Sequence, residues 1–287
     1  PPRSTLFPYT TLFRSWAAAG RPGPAFLALF PALFIALFLG NQVMPKGDPS
    51  AGLGRLDPAA IPESFRFVAE QSRSDLFRAY PLPSAREMAF TLPGLGVQQP
   101  TVYEAAPPIP AKNMILRMRN GSPFPGIFDV NNVRYLLGRA GDIPGWAMER
   151  YPVRMQGKDG SIVLENPGVL PRAYLSSDYR VAADAGEQLD LVSRPRDTGA
   201  VPPVALAAPP GFPASGLDAG RAGIVRYSPN VVDVQASALH PCLLVLLDTF
   251  APGWTASVDG EPAPILRANY AFRAVRVPAG EHRVTFR

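Results

Sequence analysis

Proline punctuates this chain so densely that few regular elements can run far. Of 287 residues, 35 are proline, more than twice the usual share of roughly 5%. Each one fixes φ and removes a backbone donor, so helix interiors and central strands exclude it. A mostly helical chain or a doubly wound α/β sheet is ruled out, and loops, edge strands and β-structure are expected. Charge is sparse, with 28 basic and 23 acidic residues. The basic residues stand singly, as at Arg66, Arg73, Arg78, Arg86, Arg117 and Arg119, so nucleic acid finds no clustered stripe and is not expected as a partner. The single Cys242 excludes an intrachain disulfide and a cysteine-based zinc site. With only His240 and His282 beside it, no metal site is expected. A Gly-x-Ser-x-Gly elbow, a P-loop and a Gly-x-Gly-x-x-Gly after a strand are all missing, so no residue is assigned a catalytic role.

Residues 1–15 (PPRSTLFPYTTLFRS) resemble a translated sequencing adapter, as in a metagenomic assembly, and are set aside from fold reasoning. Removing Arg3 and Arg14 lowers the formal net charge from +5 to +3. On this reading the chain begins inside a longer gene. Residues 16–45 are expected to form one transmembrane helix. No charge separates Arg21 from Lys46, and Pro24 to Gly40 (PAFLALFPALFIALFLG) is nearly all apolar. At ~1.5 Å per residue those 24 uncharged residues reach about 36 Å, enough for a hydrocarbon core of about 30 Å. Pro31 would kink such a helix without forbidding it. A leader peptide is the competing reading, weakened by the lack of an Ala-x-Ala-like site after Leu39. A buried soluble helix would need a large core around an apolar circumference. One Arg before and one Lys after leave the orientation open.

Residues 46–200 read as a loop-rich α+β or mostly β region. Short β-type runs are expected at Ser64–Val68, Met114–Met118, Val130–Leu137, Ser161–Leu164 and Arg172–Leu175. Helical signals are few, at Asp75–Tyr80 and Glu187–Val192. Residues 201–220, rich in proline and carrying one charge, read as an extended linker and domain boundary. The remainder, 221–287, reads as an antiparallel β-sandwich of jelly-roll type. Its strands are Val231–Ala238, Cys242–Phe250, a run alternating at Trp254, Ala256 and Val258, Phe272–Val277, and one with His282, Val284 and Phe286 on a single face. Cys242–Phe250 is apolar on both faces and so belongs at the centre of its sheet. The last residue falls inside a strand, which implies truncation there.

The segment Pro252 to Val284 (PGWTASVDGEPAPILRANYAFRAVRVPAGEHRV) resembles the carboxyl-terminal extracytoplasmic module of the YfhO-like bacterial membrane protein family. That family shows Pro-Gly-Trp, an Asp-Gly hairpin, Asn before an aromatic strand, and Val-x-Val-Pro-Ala-Gly-x-His in this order. Asn132-Val133-Arg134-Tyr135, Glu165-Asn166-Pro167 and Leu170-Pro171-Arg172-Ala173 are similar to its middle-region motifs. The resemblance implies a polytopic cell-membrane protein of the GT-C glycosyltransferase type. Its donor would be a polyprenyl-phosphate-linked sugar, and its product a glycosylated cell-envelope polymer outside the cytoplasm. Its catalytic acid would lie upstream of this chain, making these residues a non-catalytic, extracytoplasmic part. The partners implied are the lipid bilayer, the lipid-linked sugar and the envelope glycan. A reading of a different class is a membrane-anchored carbohydrate-binding or structural module without transferase activity.

Six residues are candidates for binding, each with a structural alternative. Trp254 offers an indole face to a sugar ring, but its alternation with Ala256 and Val258 favours the sandwich core. Asn269, Arg273 and His282 are expected either to hold glycan or lipid phosphate or to satisfy backbone and solvent. Arg134 and Arg172 suit bidentate pyrophosphate binding or a structural ion pair with Glu165 or Asp129. Asp259-Gly260 reads as a type I′ turn, which needs positive φ at both positions.

Overall fold

The computed structural model describes residues 61–83, 85, 91–100, 109–120, 124–195 and 201–287. Residues 1–15 and the expected transmembrane helix at 16–45 lie outside the described residues. Among the described residues no helix is long and apolar enough to cross a membrane. Residues 57–287 form one compact unit, mostly β and built on three sheets.

In chain order the first elements are α1 (Glu63–Gln71), β1 (Arg78–Pro81), α2 (Thr91–Gly94), α3 (Ile109–Asn120), α4 (Gly126–Val130) and β2 (Val133–Arg139). Next come α5 (Gly145–Arg150), β3 (Val153–Gln156), β4 (Ser161–Glu165), β5 (Ala173–Ser176), β6 (Tyr179–Val181), α6 (Ala185–Ser193) and β7 (Val204–Leu206). The carboxyl-terminal part is all β, from β8 (Gly220–Ser228), β9 (Val231–Ala238) and β10 (Cys242–Thr249) to β11 (Ala256–Val258) and β12 (Glu261–Ala263). It ends with β13 (Leu266–Ala268), β14 (Phe272–Val277) and β15 (Gly280–Phe286). Two prolines lie inside strands, Pro81 in β1 and Pro262 in β12, and both strands are at sheet edges, where a missing donor costs least.

The first sheet runs β1-β2-β4-β3, with β1 parallel to β2. The second, of six strands, runs β5-β10-β14-β13-β7-β6, and the third, of five antiparallel strands, runs β12-β11-β15-β9-β8. β10 sits between β5 and β14, and its two faces feed two cores. Cys242, Leu244 and Leu246 pack with Val234, Val275, Val284 and Phe286 in the layer shared with the third sheet. Leu243, Val245 and Leu247 pack on the other side with Met114, Phe128, Leu136 and Leu164, from the helices and the first sheet. Each such side chain, fully withdrawn from water, contributes about 1.5–3 kcal/mol.

Several expectations are corrected. Ser64–Val68 is part of helix α1: Pro62 caps it, and Ser64, Phe65 and Val68 bury one face at helical spacing. Met114–Met118 is also helical, within α3, where the two methionines lie four residues apart and both are buried. A short apolar run fits either period, and burial decides between them. Conversely Asp75–Tyr80 carries strand β1 rather than a helix, since Pro81 disfavours helical backbone just before it. Residues 201–220 are not a linker. Val204, Ala205 and Leu206 are buried as strand β7 inside the six-stranded sheet, and β5, from before that stretch, pairs with β10 from after it. Short apolar triplets between prolines still fill a ladder position, and the 221–287 segment is no separate module.

Candidate functional site

The three sheets meet at one carboxylate. Asp248 lies near the end of β10, where regular pairing breaks: Leu246 pairs with Arg273 and Thr249 with Phe272, leaving Leu247 and Asp248 in an irregularity. Such interruptions re-aim side chains. From the first sheet, Arg78 at the start of β1 reaches Asp248 Oδ1 at 3.3 Å and donates to the Asn131 carbonyl at 3.0 Å. From the second, Arg172 just before β5 approaches the same oxygen at 3.5 Å. It also donates to the Leu247 carbonyl and to Gln98 Oε1. From the third, the Tyr227 hydroxyl lies 3.1 Å from both carboxylate oxygens, and the Arg172 guanidinium stands over its ring at 5.8 Å.

Arg273, on β14, is close enough to the cluster to feel the charge of Asp248. Its Nε donates to the Thr249 carbonyl at 3.0 Å, and its guanidinium sits 3.7 Å from the centre of the Trp254 ring. Two guanidiniums thus contact one carboxylate, and a third feels its charge, in a largely buried setting: Arg172 is 3% and Arg273 5% exposed. Among the described residues, Arg172 Nε and Arg273 Nη1 are buried with no hydrogen-bond partner.

The electrostatics follow from burial. Desolvation, and next the like charge of Arg172, pushes the Arg78 guanidinium down to about 9, against the pull of Asp248 and Tyr227. It is still a cation at neutral pH. Burial also lowers Arg172 and Arg273, with Asp248 opposing in both cases. Burial, and then the Asp248 charge, raises the Tyr227 hydroxyl, so it stays a neutral donor. With three cations and one anion, the cluster carries a formal excess of two positive charges.

Two cavities flank it. One of about 410 Å³ is lined by Arg78, Arg273, Trp254, Asn131 and Thr249, with Met114 and Phe272 among its apolar walls. The other, of about 700 Å³, is lined by Arg134, Arg172, Tyr227 and Arg226, together with Asp75 and Glu165.

Of the six candidate residues, Arg172, Arg273 and Trp254 are brought together around Asp248 or beside it. Arg134 lies along the larger cavity but is ion-paired, to Asp75 at 2.7 Å and Glu165 at 3.2 Å. Asp129 is not its partner: that carboxylate takes the Asn166 amide at 2.8 Å. Asn269 is fully buried with φ of 47°. Its side chain donates to the Tyr174 hydroxyl at 2.7 Å and accepts from Ala205 N–H at 3.0 Å, tying β7 to the sheet. His282, on the neighbouring strand β15, hydrogen-bonds Asp259 of the β11–β12 hairpin at 2.7 Å. That hairpin has positive φ at both Asp259 and Gly260, as a type I′ turn requires.

The sequence reading did not single out Arg78, Tyr227 or Asp248. Asp248 carried a usable signal: it is the one charge in CLLVLLDTF, a run apolar on both faces, and a carboxylate entering such a strand must find cationic partners. Arg78 and Tyr227 carried none, because their role depends on three sheets converging. Comparison with protein-family models, curated proteins and solved structures gave no match.

Proposed function

We propose that this chain is the carboxyl-terminal, extracytoplasmic and non-catalytic part of a YfhO-like membrane glycosyltransferase, one that transfers sugar from a polyprenyl-phosphate carrier to a cell-envelope polymer. In this reading the second and third sheets, antiparallel except where β6 meets β7, are its β-sandwich, anchored to the cell membrane by the segment 16–45. The observation that carries it is the cavity where Arg273 lies over Trp254 beside Arg78. Cationic forks next to an indole suit a ligand that joins phosphate to a sugar or lipid. The motif residues on which the resemblance rests also have defined local roles: Asp259, Gly260, Asn269 and Gly280 all have positive φ.

Glycan incorporation by the intact protein tests the reading. Trp254→Ala and Arg273→Gln are expected to lower transfer per molecule of protein in the membrane, and Asn269→Ala to act through abundance alone. Unchanged transfer at equal abundance in both cavity variants would sink it. The engagement of Asn269, His282 and Arg134 in internal contacts favours a second reading, a membrane-anchored structural or carbohydrate-binding module. Such a module has no transferase activity, and the intact protein would show no sugar transfer.

A further inference from the structure

We propose that the 410 Å³ cavity between Arg78 and Arg273 is a binding site for a dianionic phosphate ester. The argument starts from charge. Asp248 is shared by Arg78 and Arg172, whereas among the described residues the contacts of Arg273 are a carbonyl and an aromatic ring. Among the described residues, the three cations share this one carboxylate, so two of them have none of their own in the cluster. Burying a cation without a counter-charge is expensive, and a fold that does so needs an anion from elsewhere.

Geometry says where that anion goes. Arg78 and Arg273 line the same cavity, and Arg273 Nη1 is a buried donor without a partner among the described residues. Guanidinium forks match phosphate oxygens, and a divalent anion balances an excess of two positive charges. The cavity exceeds a bare phosphate in size, and Ala111, Met114, Ile115 and Phe272 give it an apolar wall. An ester carrying an organic group fills that space better than the free ion. The organic part is either a soluble group or the glycerol backbone of a lipid, and the phosphate chemistry is the same for both.

Calorimetric titration of the full chain with inorganic phosphate, phenyl phosphate and the neutral phenyl glucoside tests the site. Saturable binding of phenyl phosphate, tighter than inorganic phosphate and not reproduced by the glucoside, is expected. Arg273→Gln should weaken it by about tenfold or more, and Arg273→Lys by less. Vesicles of phosphatidylcholine with and without phosphatidic acid separate the two sources. Extra binding to phosphatidic acid that Arg273→Gln removes supports the site with a lipid ester, and phenyl phosphate binding without that extra supports it with a soluble one. The proposal is overturned if the folded wild-type chain binds neither phenyl phosphate nor phosphatidic acid above its control, or if Arg273→Gln binds them equally well. If that variant does not fold, the wild-type titration decides alone.

Discussion

Asp248 and Tyr227 join the second sheet to the third, the hydroxyl lying 3.1 Å from each carboxylate oxygen. Because Arg78 of the first sheet reaches the same carboxylate at 3.3 Å, one side chain ties all three sheets together. Its loss should be felt throughout the unit.

Asp248→Asn is expected to destabilise the protein by about 3–5 kcal/mol, the cost of leaving buried cations without their partner. Adding Arg78→Met to that variant should recover part of the loss, since it removes one stranded charge. Urea denaturation of the single and double variants measures both values, and a single-variant loss below about 1 kcal/mol, as for an exposed pair, would contradict the account.

Trp254→Ala should cost about 2 kcal/mol or more, through the lost stacking on Arg273 and the lost burial of the indole. Trp254→Phe keeps a ring under the guanidinium and should cost less. Thermal denaturation of the two variants against wild type orders them; equal losses would mean that the ring does not hold Arg273.

Asn269→Ala leaves the Ala205 amide without its acceptor, takes one contact from the Tyr174 hydroxyl, and places alanine at φ of 47°. An unsatisfied buried amide costs about 1–3 kcal/mol and left-handed backbone about 1–2 kcal/mol more, so a loss of about 2–5 kcal/mol is expected. Asn269→Gly relieves only the backbone and should remain well below wild type. Hydrogen exchange should show faster opening at Val204–Leu206 in both variants, because Asn269 holds that strand; unchanged exchange there would count against this role.

The His282–Asp259 pair gives a pH dependence of known sign. The hydrogen bond to Asp259, ahead of smaller effects, raises His282 above its ordinary 6.5, and the same bond first of all lowers Asp259 below its ordinary 3.8. The histidine's contribution is therefore complete below pH 6.5 and lost as pH rises through its folded value, whereas the aspartate's is present above 3.8 and lost on acidification below it. His282→Gln should remove the decline in stability on the alkaline side of 6.5. NMR titration of the ring proton checks the direction, and an unraised His282 would contradict the hairpin contact.

Legibility from the sequence followed the kind of constraint each residue obeys. Val231–Ala238 and Phe272–Val277 were readable to the residue, as alternation and flanking turns act locally. The apolar run at Cys242 told correctly that both faces are covered. Ser64–Val68 and Met114–Met118 misled because five apolar-rich residues satisfy either a strand or a helix, and only packing against the first sheet and β10 decides. The proline-rich stretch around Val204 misled for a different reason: pairing of β7 with β13 and β6 is long-range, and no local pattern announces it. In the candidate site, Arg172, Arg273 and Trp254 were found through their motifs. Arg78 and Tyr227 enter only when the three sheets bring them to Asp248.

The claim on which the site stands is that the excess charge around Asp248 draws an oxyanion into the cavity between Arg78 and Arg273. Anomalous diffraction from crystals of the full chain soaked in tungstate locates such an ion directly. A peak within hydrogen-bond reach of both guanidiniums, absent in Arg273→Gln, is the predicted result. Peaks confined to exposed arginines, with the cavity empty, would contradict it.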